Sequence, residues 1–220
     1  MNVIRHLDFF NPINVKDPVS IIGVGAIGSH IATNLARLGI KNLTLWDFDN
    51  VEDHNIPNQI FFETQLNFEK TQAVKEILLQ INPDINIEIR GKYTNEELKG
   101  YIFVCVDSID VRNEIYKNNK YNMDIITVCD TRMSLETGQV YNAIWSNPKQ
   151  QKALFDASDF KKSEIEEPVS ACGTKLAVLP TVQLAALIAT SSFIQFIKEQ
   201  KFSNTILFNS FNYYIKQYNI

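Results

Sequence analysis

The stretch Val19-Ser20-Ile21-Ile22-Gly23-Val24-Gly25-Ala26-Ile27-Gly28-Ser29-His30 sets the architecture of the rest of the chain. It opens on a mostly apolar run, and a Gly-x-Gly-x-x-Gly follows at once. An apolar series then runs through Ile27, Ile31, Leu35, Ala36 and Leu38. Strand, tight turn and helix in that order are the opening of a nucleotide-binding βαβ unit. Gly23 permits the turn, Gly25 lets backbone N–H groups approach a phosphate, and Gly28 lets the helix pack on the sheet. The helix start, at Ala26 and Ile27, presents unpaired donors and a partial positive charge to an anion. A glycine-rich turn without a ligand can carry the same three glycines. The added weight comes from Asp47, which ends the next apolar run Leu43-Thr44-Leu45-Trp46.

A chain of 220 residues with 45% hydrophobic content can bury one large core, so a single α/β domain is the expectation. The net charge of −4 without a basic block argues against a nucleic-acid partner. Cys105, Cys129 and Cys172 form no Cys-x-x-Cys pair and no even set, which disfavours a disulfide scaffold and a four-thiolate zinc site. The N-terminus lacks a signal peptide's apolar core, and a reducing cytoplasm is the expected setting. Leu176 to Ile194 carries no charge and approaches the length of a membrane span. Its Pro180, Thr181, Gln183, Thr190, Ser191 and Ser192 instead favour a helix buried in the core or in a subunit interface.

Residues 1–18 read as an N-terminal arm and 19–146 as the nucleotide-binding core. Strands are expected at 19–24, 43–47, 85–89, 101–106 and 125–129, and helices at 27–38, 69–80 and 109–119. The segment 49–67 reads as a long functional loop. The run from Val140 lacks a preceding helix, so the sheet is expected to turn antiparallel there. Residues 147–168, bounded by Pro148 and Pro168, read as a mobile crossover with helical turns near 149–157. Residues 169–220 supply the long helix and the last strands. The fold expected is a Rossmann-like doubly wound sheet, mostly parallel, with C-terminal antiparallel strands and a long buried helix.

Asp47 is placed to accept from both ribose hydroxyls, or is a loop acid after a strand. Asp107 follows Phe103-Val104-Cys105-Val106 and sits at the carboxyl end of a central strand, where open α/β sheets bind ligands. A carboxylate there suits Mg²⁺ on a triphosphate better than a nicotinamide ring. The competing role is a helix N-cap by Asp107 or Ser108. Asp110 is first-turn helix charge. Lys70 opens the helix after the long loop, a phosphate contact if the loop folds over the glycines and otherwise a surface lysine. Cys105 and Cys129 fall inside apolar strands and belong to the core.

Several segments together resemble the ThiF/MoeB family in order and spacing. These are Gly23–Ser29, Leu43–Gln59 with its Asp47-Phe-Asp49, Lys70–Val74, Ile81-Asn82-Pro83, Cys105–Asn113, and Arg132 with Gly138-Gln139-Val140. The tighter resemblance is to compact ThiF-type proteins of bacteriophages and bacteria. That family activates ubiquitin-like and sulfur-carrier-like proteins. The resemblance implies an ATP–Mg²⁺ site, adenylation of a C-terminal glycine carboxylate, and a homodimer. It places Gly23, Gly25 and Gly28 on the nucleotide, Asp47 on the ribose, and Asn55 and Lys70 on the phosphates. Asp107 would hold Mg²⁺, with Asp49 and Gln59 ordering the loop. Arg5 would match a phosphate arginine that reaches across the dimer. Cys172, in Pro168-Val-Ser-Ala-Cys-Gly-Thr-Lys, would match the region of a reactive cysteine. Thr174, Lys175 and the helix start can depress its thiol pKa; a small buried residue is the other reading. The family motif Asn-x-x-Arg-Gln appears here as Asn55-Ile-Pro-Asn58-Gln59, so Asn58 replaces a phosphate-facing cation. Loss of that cation points to the alternative of a catalytically weakened nucleotide-binding module acting on a conjugation pathway. An NAD(P)-dependent oxidoreductase is a third reading, disfavoured by Asp107 and the lack of a substrate domain.

Overall fold

The computed structural model describes residues 1–158 and 176–220. The elements run β1 (Val19–Ile22), α1 (Ala26–Leu38), β2 (Asn42–Trp46), α2 (Lys70–Ile81), β3 (Asn86–Arg90), β4 (Gly100–Val104) and α3 (Ile109–Asn118). They continue with β5 (Ile125–Met133), β6 (Thr137–Ile144), α4 (Pro148–Ser158), α5 (Leu179–Glu199), β7 (Thr205–Asn209) and β8 (Tyr214–Tyr218). Among the described residues, eight strands form one sheet in the order β3-β2-β1-β4-β5-β6-β7-β8. Pairings from β3 through β5 are parallel, and those from β5 through β8 are antiparallel. The mostly parallel, Rossmann-like doubly wound sheet with antiparallel C-terminal strands is therefore present.

Strand alternation distributes the core over both faces. Val19, Ile21, Tyr101 and Phe103 join one apolar cluster with α1, α2 and α5. Ile22, Ile102 and Val104 point the other way and pack with Ile115 and Tyr116 of α3 and Leu154 of α4. Residues separated by two share a face, so a continuous apolar run is the pattern a strand covered on both sides requires. α1 ends where Gly39 turns left-handed, its N–H bonded to the carbonyls of Ala36 and Leu35.

α5 is long and apolar enough to cross a membrane by length and composition, yet much of it is packed inside the protein. Its polar residues explain why. Thr190 accepts from Asn34 of α1 at 3.2 Å, Ser192 accepts from Asn142 of β6 at 3.2 Å, and Thr181 donates to the Leu135 carbonyl at 2.8 Å. The residues that interrupted the apolar run in sequence are the ones that fasten the helix.

Two elements extend beyond the sequence expectation. α4 is a full helix of eleven residues rather than a turn or two. β5 runs on from Cys129 through Asp130, Thr131 and Arg132 to Met133. A charged residue normally ends a buried strand; here Asp130 is fully buried because arginines neutralise it.

Candidate functional site

Strand order reverses between β1 and β4, and the crevice beyond the carboxyl ends of these strands is where open α/β sheets bind ligands. The glycine turn lies in it. Gly23 has φ +90° and donates to the Trp46 carbonyl at 2.8 Å, while the Cys105 N–H bonds to the Ile22 carbonyl at 2.8 Å. A Cβ on Gly23 would lie 2.9 Å from Cys105 backbone atoms, and one on Gly28 would lie 1.9 Å from the Gly23 carbonyl oxygen. These two glycines are required by close backbone approach. Among the described residues, a Cβ at Gly25 would meet nothing within 4 Å. α1 starts there with no side-chain cap and no acid in its first turn. An uncapped helix start facing open space is a place for an anion.

Asp47 is fixed at the rim of this space. One carboxylate oxygen accepts from the Val24 N–H at 2.8 Å and the other from the Asp49 N–H at 2.9 Å. Burial raises its pKa, opposed by the Asp49 N–H, by Lys70 and by the Val24 N–H. Each oxygen keeps lone-pair capacity for a further donor.

The segment 49–67 closes on itself through 3-10 turns at Asp53–Asn55 and Glu63–Gln65. The Val51 N–H donates to the Phe68 carbonyl and the Lys70 N–H to the Asp49 carbonyl. Lys70 is 8% exposed and its ammonium pairs with Asp49 at 2.9 Å, so it is not a free surface lysine. Asn55 is buried, with its Oδ1 accepting from the Glu52 N–H at 2.9 Å. Gln65 escaped the sequence reading. It is buried, accepts from the Phe62 N–H and donates to the Ala73 carbonyl, and so ties the loop to α2.

Gln59 donates its backbone N–H to the Asn55 carbonyl at 2.9 Å. Its Oε1 is buried without a partner among the described residues, as are Asn58 Oδ1 and His30 Nε2. Asn58 donates its Nδ2 to the Ala177 carbonyl at 3.4 Å. Burial lowers the His30 pKa, opposed by a hydrogen bond to the Asn58 backbone. Orphaned buried polar atoms are costly and commonly answer to a ligand or an ordered water.

At the next strand end, Ser108 takes the N-cap of α3, its hydroxyl accepting from the Val111 N–H at 3.4 Å. Asp107 is therefore not the cap. Behind it lies a buried ionic cluster. Arg112 donates to the carbonyls of Val104, Val106 and Thr131 and to Asp130. Asp130 also accepts from Tyr116 at 2.6 Å and from Arg132. Burial lowers the Arg112 pKa to about 10; Tyr116 opposes this, Arg132 adds to it, and Cys105 and Asp107 also oppose it. Burial pushes the Cys105 thiol up to about 11 and Cys129 well above its usual value, in keeping with core thiols. Among the described residues no cluster of three or more His, Cys, Asp or Glu forms a metal cage. Magnesium commonly takes one or two carboxylates and the rest of its ligands from phosphates and water, so Asp107 needs no such cage to hold it.

Arg5 lies apart from this crevice. It is exposed, and the neighbouring His6 ring contacts the Leu38 carbonyl at the far end of α1. Thirteen helical residues put that end roughly 20 Å from the glycine turn. Cys172 lies outside the described residues.

Residues 15–219 match the model of the ThiF family. Over 148 residues the chain is 33% identical to a molybdopterin-synthase adenylyltransferase of Haemophilus influenzae, covering 63% of this chain and 60% of that one. It is also 33% identical over 113 residues to a ubiquitin-like modifier-activating enzyme 5 of Caenorhabditis briggsae, covering 43% of this chain and 26% of that protein. The aligned stretches thus span less than two thirds of both relatives. Among solved structures, PaaA matches with a TM-score of 0.74 at 17% identity, covering 95% of this chain and 66% of that one. Escherichia coli MccB with ATP matches with a TM-score of 0.68 at 20% identity, covering 94% and 65%. With sheet order, glycine turn and strand-end acids all in place, the chain belongs to the ThiF family.

Proposed function

We infer that the chain is an adenylyltransferase that uses ATP and Mg²⁺ to activate the C-terminal carboxylate of a ubiquitin-like or sulfur-carrier-like partner. The observation that carries this reading is the meeting, at one crevice, of an uncapped helix start over open space at Gly25 with the strand-end acids Asp47 and Asp107. In the reaction a carboxylate oxygen attacks the α-phosphorus and the bond to the bridging oxygen of the β-phosphate breaks. The products are an acyl-adenylate and pyrophosphate. Backbone N–H groups of the glycine turn would hold phosphate oxygens, and Asp47 would hold the ribose. Lys70, kept in place by Asp49, and the amide nitrogen of Asn55 would face the phosphates. Asp107 would hold Mg²⁺, whose charge offsets that of the phosphates. Such chemistry is mostly positioning and charge neutralisation.

The relatives support this reading: one is named an adenylyltransferase, and an MccB structure is described with ATP. Within one chain Arg5 is remote from the crevice, so its contribution requires a second copy. A homodimer is therefore part of the proposal. The crossover expected past Ser158 and Cys172, the candidate nucleophile, both lie outside the described residues.

Asn58 favours a second reading, in which the nucleotide is held but turned over slowly. Its side chain supplies no positive charge and is directed at Ala177. The binding step is tested by thermal shift. Saturation at about 100 times Kd stabilises a fold by about 2.7 kcal/mol. ATP–Mg²⁺ is expected to raise the melting temperature and NAD to leave it unchanged; the reverse order would refute the ATP assignment.

A further inference from the structure

Arg112 is nearly fully buried, and its guanidinium serves two strand ends at once. On the β4 side it takes the carbonyls of Val104, at 3.3 Å, and Val106; on the β5 side it takes the Thr131 carbonyl, at 2.9 Å, and the Asp130 carboxylate. The paired strands set Val104 opposite Asp130, so a single planar fork bridges the ladder where it ends. Asp130 is saturated on its other oxygen by Tyr116 and Arg132. Arg132 in turn reaches the Ala157 carbonyl of α4.

The consequence falls on the residue after Val106. Holding the Val106 carbonyl fixes the peptide plane that it shares with Asp107, and with it the direction in which the Asp107 Cα leaves the strand. Ser108 caps α3 immediately afterwards, so the turn 105–108 is pinned from both sides. The same turn lies against Gly23, whose added Cβ would touch the backbone of Cys105 and Val106. One buried side chain therefore holds the carbonyl that immediately precedes the strand-end acid.

We propose that Arg112 is a positioning residue which, locked by Asp130, sets where the Asp107 carboxylate is offered to a nucleotide's divalent cation. This rests on the ATP–Mg²⁺ reading. Arg112 touches neither nucleotide nor cation; it acts through the backbone of 104–107. Lysine keeps the charge but has no planar fork to hold three carbonyls and a carboxylate together.

The test compares wild type, Arg112→Lys, Asp107→Ala and the double variant. ATP affinity is measured with and without Mg²⁺, and amide hydrogen exchange is measured on the nucleotide-free protein. Arg112→Lys is expected to lose about tenfold of the Mg²⁺-dependent gain in ATP affinity, the scale for residues that orient a metal ligand. Affinity without Mg²⁺ should stay at the wild-type level, and the loss should vanish when Asp107 is already Ala. Exchange should quicken at 105–108 in the nucleotide-free protein. Tyr116→Phe, which keeps the guanidinium and removes one bond to Asp130, should shift the same readouts less, and it carries the test if Arg112→Lys does not fold. Equal losses with and without Mg²⁺, a loss undiminished in the Asp107→Ala background, or a wild-type Mg²⁺ gain in both variants would overturn the proposal. A wild-type protein with no Mg²⁺ response would overturn the underlying reading instead; the exchange data would still decide whether Arg112 controls the turn.

Discussion

Gly28→Ala tests the packing on which the nucleotide turn depends. The added Cβ would lie 1.9 Å from the Gly23 carbonyl oxygen, where real Cβ contacts stay beyond about 3.0 Å, so turn and helix must separate by about 1.1 Å. A shift of that size breaks the 2.8 Å bonds from Gly23 N–H to Trp46 and from Val24 N–H to Asp47. Two lost hydrogen bonds cost about 2 kcal/mol, and overpacking adds about 1–3 kcal/mol. Replacing a helical glycine by alanine returns about 1 kcal/mol. The expected net destabilisation is about 2–4 kcal/mol, which lowers the melting temperature of a chain this size by about 5–15 °C. Urea unfolding gives the stability directly, and ATP titration of the variant should show weakened binding as the turn opens. A variant as stable as wild type, or stabilised by its helix propensity, would refute the close approach of α1 to the turn.

Asp47→Asn removes a carboxylate whose pKa burial raises. The folded state then favours the protonated form, so the stabilising contribution of Asp47 is present below its unfolded value and fades as pH rises through the raised one. The stability of the variant relative to wild type should grow from pH 3 toward neutrality in urea titrations; a falling difference would reverse the sign. Asn58→Arg puts a cation where the family motif carries one and should tighten ATP binding by about tenfold, the scale of a charge-assisted hydrogen bond; an unchanged Kd by calorimetry would mean that position 58 does not reach the phosphates. Gln65→Ala strands the Phe62 N–H and should cost about 1–3 kcal/mol by chemical unfolding, whereas a neutral result would mean that the loop is held by its other bonds.

The parallel half of the fold was legible because its signals are local. Glycine chemistry after β1, the period of α1 and the apolar run of β4 each need only adjacent residues to be read. The helix expected over 69–80 ends within a residue of the end of α2, where Asn82 is the C-cap. The end of β5 was hidden because Asp130 looks like a strand terminator until Arg112 and Arg132, near it only in space, are seen to neutralise it. The site shows the same division. Asp47, Asp107 and the glycines announce themselves by position after strands. Gln65 and His30 carry no such signal, since an isolated polar residue in a loop or on a helix is ordinarily solvated. Lys70 was legible as a residue of interest, but its ion pair with Asp49 depends on the closure of a loop that no periodicity predicts.

The most direct measurement is pyrophosphate exchange. The protein is incubated with ATP, Mg²⁺, labelled pyrophosphate and small proteins ending in a glycine carboxylate, beside the Asp107→Ala variant. Label entering ATP with the wild type and not with the variant is the expected result. ATP binding without exchange for any glycine-terminated protein would contradict adenylation and leave a nucleotide-binding module in its place.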